Sequence, residues 1–102
     1  MNTHYIEQKY IKHNQLYIAE NENVVILLGY ELNLTKTEYQ ILKALAENGD
    51  SPLSNEQISS VTGLNLSKEN LAFHVFNINH KAKFIGNRIL IKNIAKIGYF
   101  LN

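Results

Sequence analysis

The chain has 102 residues, 45% of them hydrophobic and 19% charged, an ordinary soluble globular composition with room for one modest core. It has no cysteine, which excludes a disulfide framework, a thiolate metal site and a thiol nucleophile. The formal charge of +1 hides a division: Leu66 to Asn102 carries six cations (Lys68, Lys81, Lys83, Arg88, Lys92 and Lys96) against Glu69, whereas Met1 to Asn65 carries four lysines against eight acids. A basic third joined to an acidic body suits a polyanionic partner on one face, above all a nucleic-acid backbone; the alternative is chance segregation on a solvated surface.

The N-terminal stretch MNTHYIEQKYIKHNQ lacks the basic-then-apolar pattern of a secretory signal. The longest apolar run, Val24 to Leu28, is far too short to span a bilayer, so no membrane partner is expected and the location reads as cytoplasmic. Residues 1–13 read as an N-terminal extension. Gln15 to Ile18 reads as a strand, Glu20 to Asn23 as a polar turn, and Val24 to Leu28 as a second, β-branched strand flanked by Gly29. Glu31 to Leu34 supplies a short third, so that residues 14–34 form a small antiparallel sheet.

Three helix starts follow, filling residues 35–84. Thr35-Lys36-Thr37-Glu38 is a capping box, with Leu34 and Tyr39 placed to form the hydrophobic staple around it. The first helix turns Leu42, Leu45 and Ala46 inward and ends near Asn48-Gly49. Ser54-Asn55-Glu56-Gln57 repeats the device with Leu53 and Ile58; this second helix is predicted to bury Ile58 and Val61 and to stop at Gly63. Ser67 caps the third, whose inward stripe is Leu71, Val75, Ile78 and Ala82. The short link from Gly63 to Ser67 forces a sharp turn between helices two and three, the geometry of a helix-turn-helix. Beyond Phe84 the pattern turns β-branched: Arg88 to Ile94 as a strand, Ala95 to Gly98 as a turn, Tyr99 to Leu101 as the return. Residues 85–102 thus form a hairpin behind the helix-turn-helix, a wing. The expected class is α+β: a winged helix-turn-helix in one domain over residues 1–102.

Chemistry-bearing constellations are missing from the chain. The five glycines are scattered, no serine lies in a nucleophile-elbow pattern, and the carboxylates have no paired spacing on one face. His74 and His80 are six apart, wrong for one helical face, so no metal site is expected. Neither an enzyme nor a cofactor is expected.

The sequence resembles the winged-helix effector domain of OmpR/PhoB-type response regulators. Leu34 to Leu42 (LTKTEYQIL) matches the opening Leu-Thr-x-Thr-Glu-aromatic of that family's first helix. Ser54 to Ile58 (SNEQI) is close to its Ser-x-Glu-x-Leu, and Gly98 to Leu101 (GYFL) fits the Gly-Tyr-x-Leu that ends its wing. The resemblance covers about Asn14 to Leu101. It implies a transcription regulator whose third helix lies in the major groove of duplex DNA while the wing reaches the neighbouring minor groove. The chain departs from the family where function is concerned. Asn77 and Asn79 stand where arginines are usual, Phe76 where a polar or basic residue is common, and Ala95-Lys96 replaces Arg-Gly in the wing. The longer loop between helices two and three, with which some members touch RNA polymerase, is nearly missing here. The family's phosphorylatable receiver lies outside these residues, so the chain either stands alone or is a piece of a longer protein.

The implied DNA-binding residues are Lys68, Lys81, Lys83, Arg88, Lys92 and Lys96 on phosphates, with Asn70, Phe73, His74 and Asn77 reaching bases. Asn77 or Asn79 suits adenine, and Phe73 and Phe76 suit thymine methyl groups. The alternative is a winged-helix scaffold turned to protein interaction, with a homodimer or another protein held through Phe73 and Phe76 or through the Val24–Leu28 strand.

Overall fold

The computed structural model describes residues 9–86 and 89–102. Four strands, β1 (Tyr10–His13), β2 (Leu16–Ala19), β3 (Val25–Leu27) and β4 (Tyr30–Leu32), lead into α1 (Lys36–Glu47), α2 (Asn55–Thr62) and α3 (Lys68–Gly86). A hairpin of β5 (Ile91–Ile94) and β6 (Gly98–Leu101) follows. The first four strands form one antiparallel sheet in chain order. This is the expected winged helix-turn-helix, with one strand more than predicted. Tyr10–His13 falls in the stretch expected to be an extension, yet it pairs with β2 from Tyr10 opposite Ala19 to His13 opposite Leu16. An edge strand of alternating exposed and half-buried residues carries little hydrophobic signal, which is why the pattern alone misses it.

Tight turns explain the sheet's register. Asn14 takes a left-handed φ of 54° between β1 and β2, a conformation Asn tolerates well. Leu28 and Gly29 both have positive φ, 52° and 83°, in the two-residue turn between β3 and β4, a primed hairpin turn. Leu28 adopts that unfavourable angle while its side chain rests against Gly86 at the end of α3.

Local capping fixes the helices as the sequence indicates. Thr35 Oγ1 accepts from the Glu38 amide and Glu38 Oε1 accepts from the Thr35 amide; Ser54 and Gln57 make the same reciprocal pair. Gly63 ends α2 in the left-handed region, and Ser67 Oγ accepts from the Asn70 amide to open α3. The turn between α2 and α3 is held from within α2: Asn55 Nδ2 donates to the Leu66 carbonyl at 3.0 Å.

The core lies where the sheet, α1 and α3 meet, and Ile18, Ile41, Leu42, Ile58, Leu71 and Ile78 are sealed in it. The predicted stripe of α3 is the buried one: Leu71, Val75, Ile78 and Ala82. Val61 is a correction. It is 61% exposed, because α2 is only two turns long and anchors itself through Ile58, leaving Val61 on the rim of a shallow cleft beside α1.

Candidate nucleic-acid interface

The candidate surface comprises α3 and the hairpin, and three long-range devices hold them in place. The first is Asn79. Its Oδ1 accepts from the amides of Leu90 (3.1 Å) and Ile91 (2.8 Å), and its Nδ2 donates to the Ile91 carbonyl at 2.9 Å. One side chain thereby satisfies three backbone groups at the start of β5 and sets the hairpin against the helix. Asn79 is therefore a joint, and the expectation that it reads adenine is corrected: its polar atoms are engaged by the hairpin.

The second device is at Gly98. The hairpin is extended by Leu53, which exchanges two 2.8 Å backbone hydrogen bonds with Tyr99. A Cβ on Gly98 would come within 2.2 Å of the Leu53 carbonyl oxygen, so only glycine allows this approach. The Gly-Tyr pair is thus the place where the wing is riveted to the segment before α2.

The third device is the ion pair between Lys81 Nζ and Glu38 Oε1, 2.6 Å apart. Glu38 is 3% exposed and already holds the Thr35 amide. Burial alone would raise its carboxyl, but the hydrogen bonds from Lys81 and Thr35 and the charge of Lys81 outweigh that and hold it below the ordinary value. Lys81, one of the residues expected on a phosphate, ties α3 to the start of α1 across 43 positions of sequence.

The remaining predicted residues divide between the free surface and the margins. Lys68 begins α3, and Lys68 and Lys96 both line an open groove between α3, the start of α2 and the hairpin turn. Lys83 is exposed near the end of α3, Lys92 is exposed on β5, and Lys96 sits in the hairpin turn with φ of 66°. Asn70 is exposed, and His74 and Asn77 are half-buried beside the stripe. Arg88 lies outside the described residues.

Opposite the buried stripe runs a row of rings. Phe73 (61% exposed), Phe76 (65%), His80 and Phe84 (81%) follow at spacings of three, four and four along α3, one face of a helix. His80 stacks on Phe76 with centroids 6.0 Å apart and meets Phe84 edge-on at 5.3 Å; Phe73 lies edge-on to His74. Phe84 was not among the predicted residues, although its spacing from His80 already put it on this row. The helix is apolar on two opposite sides, one aliphatic and covered, one aromatic and bare.

Comparison with known proteins supplies the family context. No model of a known protein family matches the chain. Response regulator ArlR of Staphylococcus aureus is 33% identical over 91 residues, which is 86% of this chain; the chain covers 42% of ArlR. The chain is similar to the winged-helix effector domains of OmpR/PhoB-type response regulators. Among solved structures, the AdeR DNA-binding domain in complex with an intercistronic region superposes with a TM-score of 0.79 at 20% identity, over 89% of this chain and 96% of that one. The Klebsiella pneumoniae RstA DNA-binding domain in complex with the RstA box gives 0.76 at 16% identity, over 91% and 96%. At those identities the two structures speak for the winged-helix fold. No described helix of the chain is long and apolar enough to cross a membrane.

Proposed function

We propose that this winged-helix domain regulates transcription by binding duplex DNA, with α3 in the major groove and the β5–β6 hairpin against the adjacent backbone and minor groove. The observation that carries it is the distribution of exposed positive charge among the described residues. Lys68, Lys83, Lys92 and Lys96 are exposed on the two elements that meet DNA in this architecture, while the acids lie mainly in the sheet, α1 and α2. Kinship with response-regulator effector domains, and the DNA complexes formed by the AdeR and RstA domains, support it.

In this account the cations grip phosphates and fix the register, while Asn70, Phe73, His74 and Asn77 sit closest to the bases. Lys81 contributes through its pair with Glu38, by keeping α3 at a fixed angle to α1. Asn79 and Gly98 do the same for the hairpin, so helix and wing engage the duplex as one rigid unit.

Fluorescence anisotropy on a labelled duplex at several salt concentrations tests the proposal. Affinity is expected to fall steeply with salt, and Lys83→Ala with Lys96→Ala to reduce the slope of log K against log salt by about 2. Binding that ignores salt, or a slope unchanged in the double variant, would overturn it.

A further inference from the structure

We propose that the bare aromatic row of α3 is a reader of thymine methyl groups, so that the preferred duplex carries thymines under Phe73 and Phe76. This rests on the DNA-binding proposal above and adds the class of sequence recognised.

Three observations converge on it. The first is exposure without a fold-related cause. Phe73 and Phe76 are each more than half exposed, on the side of α3 away from Leu71, Val75, Ile78 and Ala82. The core is complete without them, so nothing in the stability of the domain accounts for two large rings in water.

The second is what the face lacks. Specific reading of guanine relies mainly on Arg or Lys reaching O6 and N7 together. From Lys68 to Gly86 there is no arginine, and the three lysines stand at the ends of the helix. Lys68 opens the first turn, Lys81 is held by Glu38, and Lys83 lies in the last turn. The middle of the helix has no guanine reader to offer. The apolar group that the major groove displays is the C5-methyl of thymine, and it matches a phenyl ring.

The third is the charge around the row. Lys68 stands at one end and Lys83 at the other, with Lys92 and Lys96 on the neighbouring hairpin. An apolar ridge rimmed by cations complements a partner with an apolar floor between two lines of negative charge. A thymine-bearing major groove has that form. Phe73 and Phe76 are about 4.5 Å apart along the helix axis, less than one turn, so both rings serve one short stretch of groove floor. Phe76 is further held upright by the stacked His80 ring, which limits the freedom lost when it docks.

The test uses three duplexes, each titrated at several salt concentrations and compared at matched salt: one of all A·T pairs, the same duplex with every thymidine replaced by deoxyuridine, and a G·C duplex of equal length. Deoxyuridine removes the methyl groups and leaves the base pairing intact. Two buried methyls lead us to expect roughly a tenfold loss of affinity on the deoxyuridine duplex. Phe73→Ala with Phe76→Ala should bind the thymidine and deoxyuridine duplexes equally well, with circular dichroism melts confirming that the variant is folded. Equal binding of both duplexes by the unaltered chain, with the salt slope intact, would overturn the thymine proposal and leave DNA binding standing. Absence of salt-dependent binding to any of the three would instead sink the proposed function itself. If the chain sediments as a dimer without DNA and Phe76→Asp makes it a monomer, with no thymidine preference, the row is a protein contact and the proposal fails.

Discussion

The two sides of α3 are both apolar and behave in opposite ways. Leu71, Val75, Ile78 and Ala82 are aliphatic and small, and they vanish into the core; Phe73, Phe76 and Phe84 are large and aromatic, and they stand in solvent. The boundary between the sides is drawn by polar residues with fixed partners, Asn79 on the hairpin and Lys81 on Glu38. The lesson is that hydrophobicity alone does not choose the buried face. Ala82 lets neighbouring elements come close, and Asn79 and Lys81 can satisfy their polar groups only if the aliphatic side turns inward.

Substitutions on each side should separate packing from function. The largest loss is expected from Ile78→Ala, which opens a cavity in a fully buried site: about 3–4 kcal/mol of unfolding free energy by urea denaturation. An effect below about 1 kcal/mol would mean that the covered side is not the packed one. Asn79→Ala leaves the Leu90 and Ile91 amides without their acceptor and should lower stability by about 2 kcal/mol, with the hairpin amides exchanging faster with deuterium. Unchanged exchange in β5 would show that the joint lies elsewhere.

Glu38→Gln keeps the bond to the Thr35 amide and removes the charge facing Lys81, and about 1 kcal/mol is expected at pH 7. The folded carboxyl lies below its ordinary value of 4.5, so its contribution is complete above that pH and fades as pH falls through the lower, folded value. The stability difference between the two proteins should therefore be constant from pH 7 to about 5 and shrink below 4.5; a gap that widens in acid would contradict the ion pair. The smallest effect on stability, within about 0.5 kcal/mol, is expected for Phe76→Ala, the change with the largest expected effect on the thymidine preference. A marked drop in melting temperature would place Phe76 in the core after all.

Much of the architecture was legible because its determinants are local. A capping box is written in four residues, a staple in five and a helical stripe in a dozen, so the ends of α1 and α2, the start of α3 and its inner face follow from the sequence, while α3 runs on to Gly86, two residues past the expected end. Strand β1 and the exposure of Val61 did not, since the one depends on pairing with a neighbour and the other on how little of α2 the core can cover. The candidate interface divides in the same way. Its aromatic row is a spacing of three, four and four that sequence displays directly.

The three helices, the strands other than β1, the order in which they follow and the likeness to response-regulator effector domains can all be read from the residues in line. Which polar residues are engaged inside the fold depends on packing across the chain. Asn77 and Asn79, or Lys81 and Lys83, are alike as letters. Asn79 is bound twelve positions away to Ile91, and Lys81 forty-three away to Glu38. Such partners are brought together by chain closure and packing, which no local pattern records, and they fix the helix and the hairpin relative to the rest of the domain.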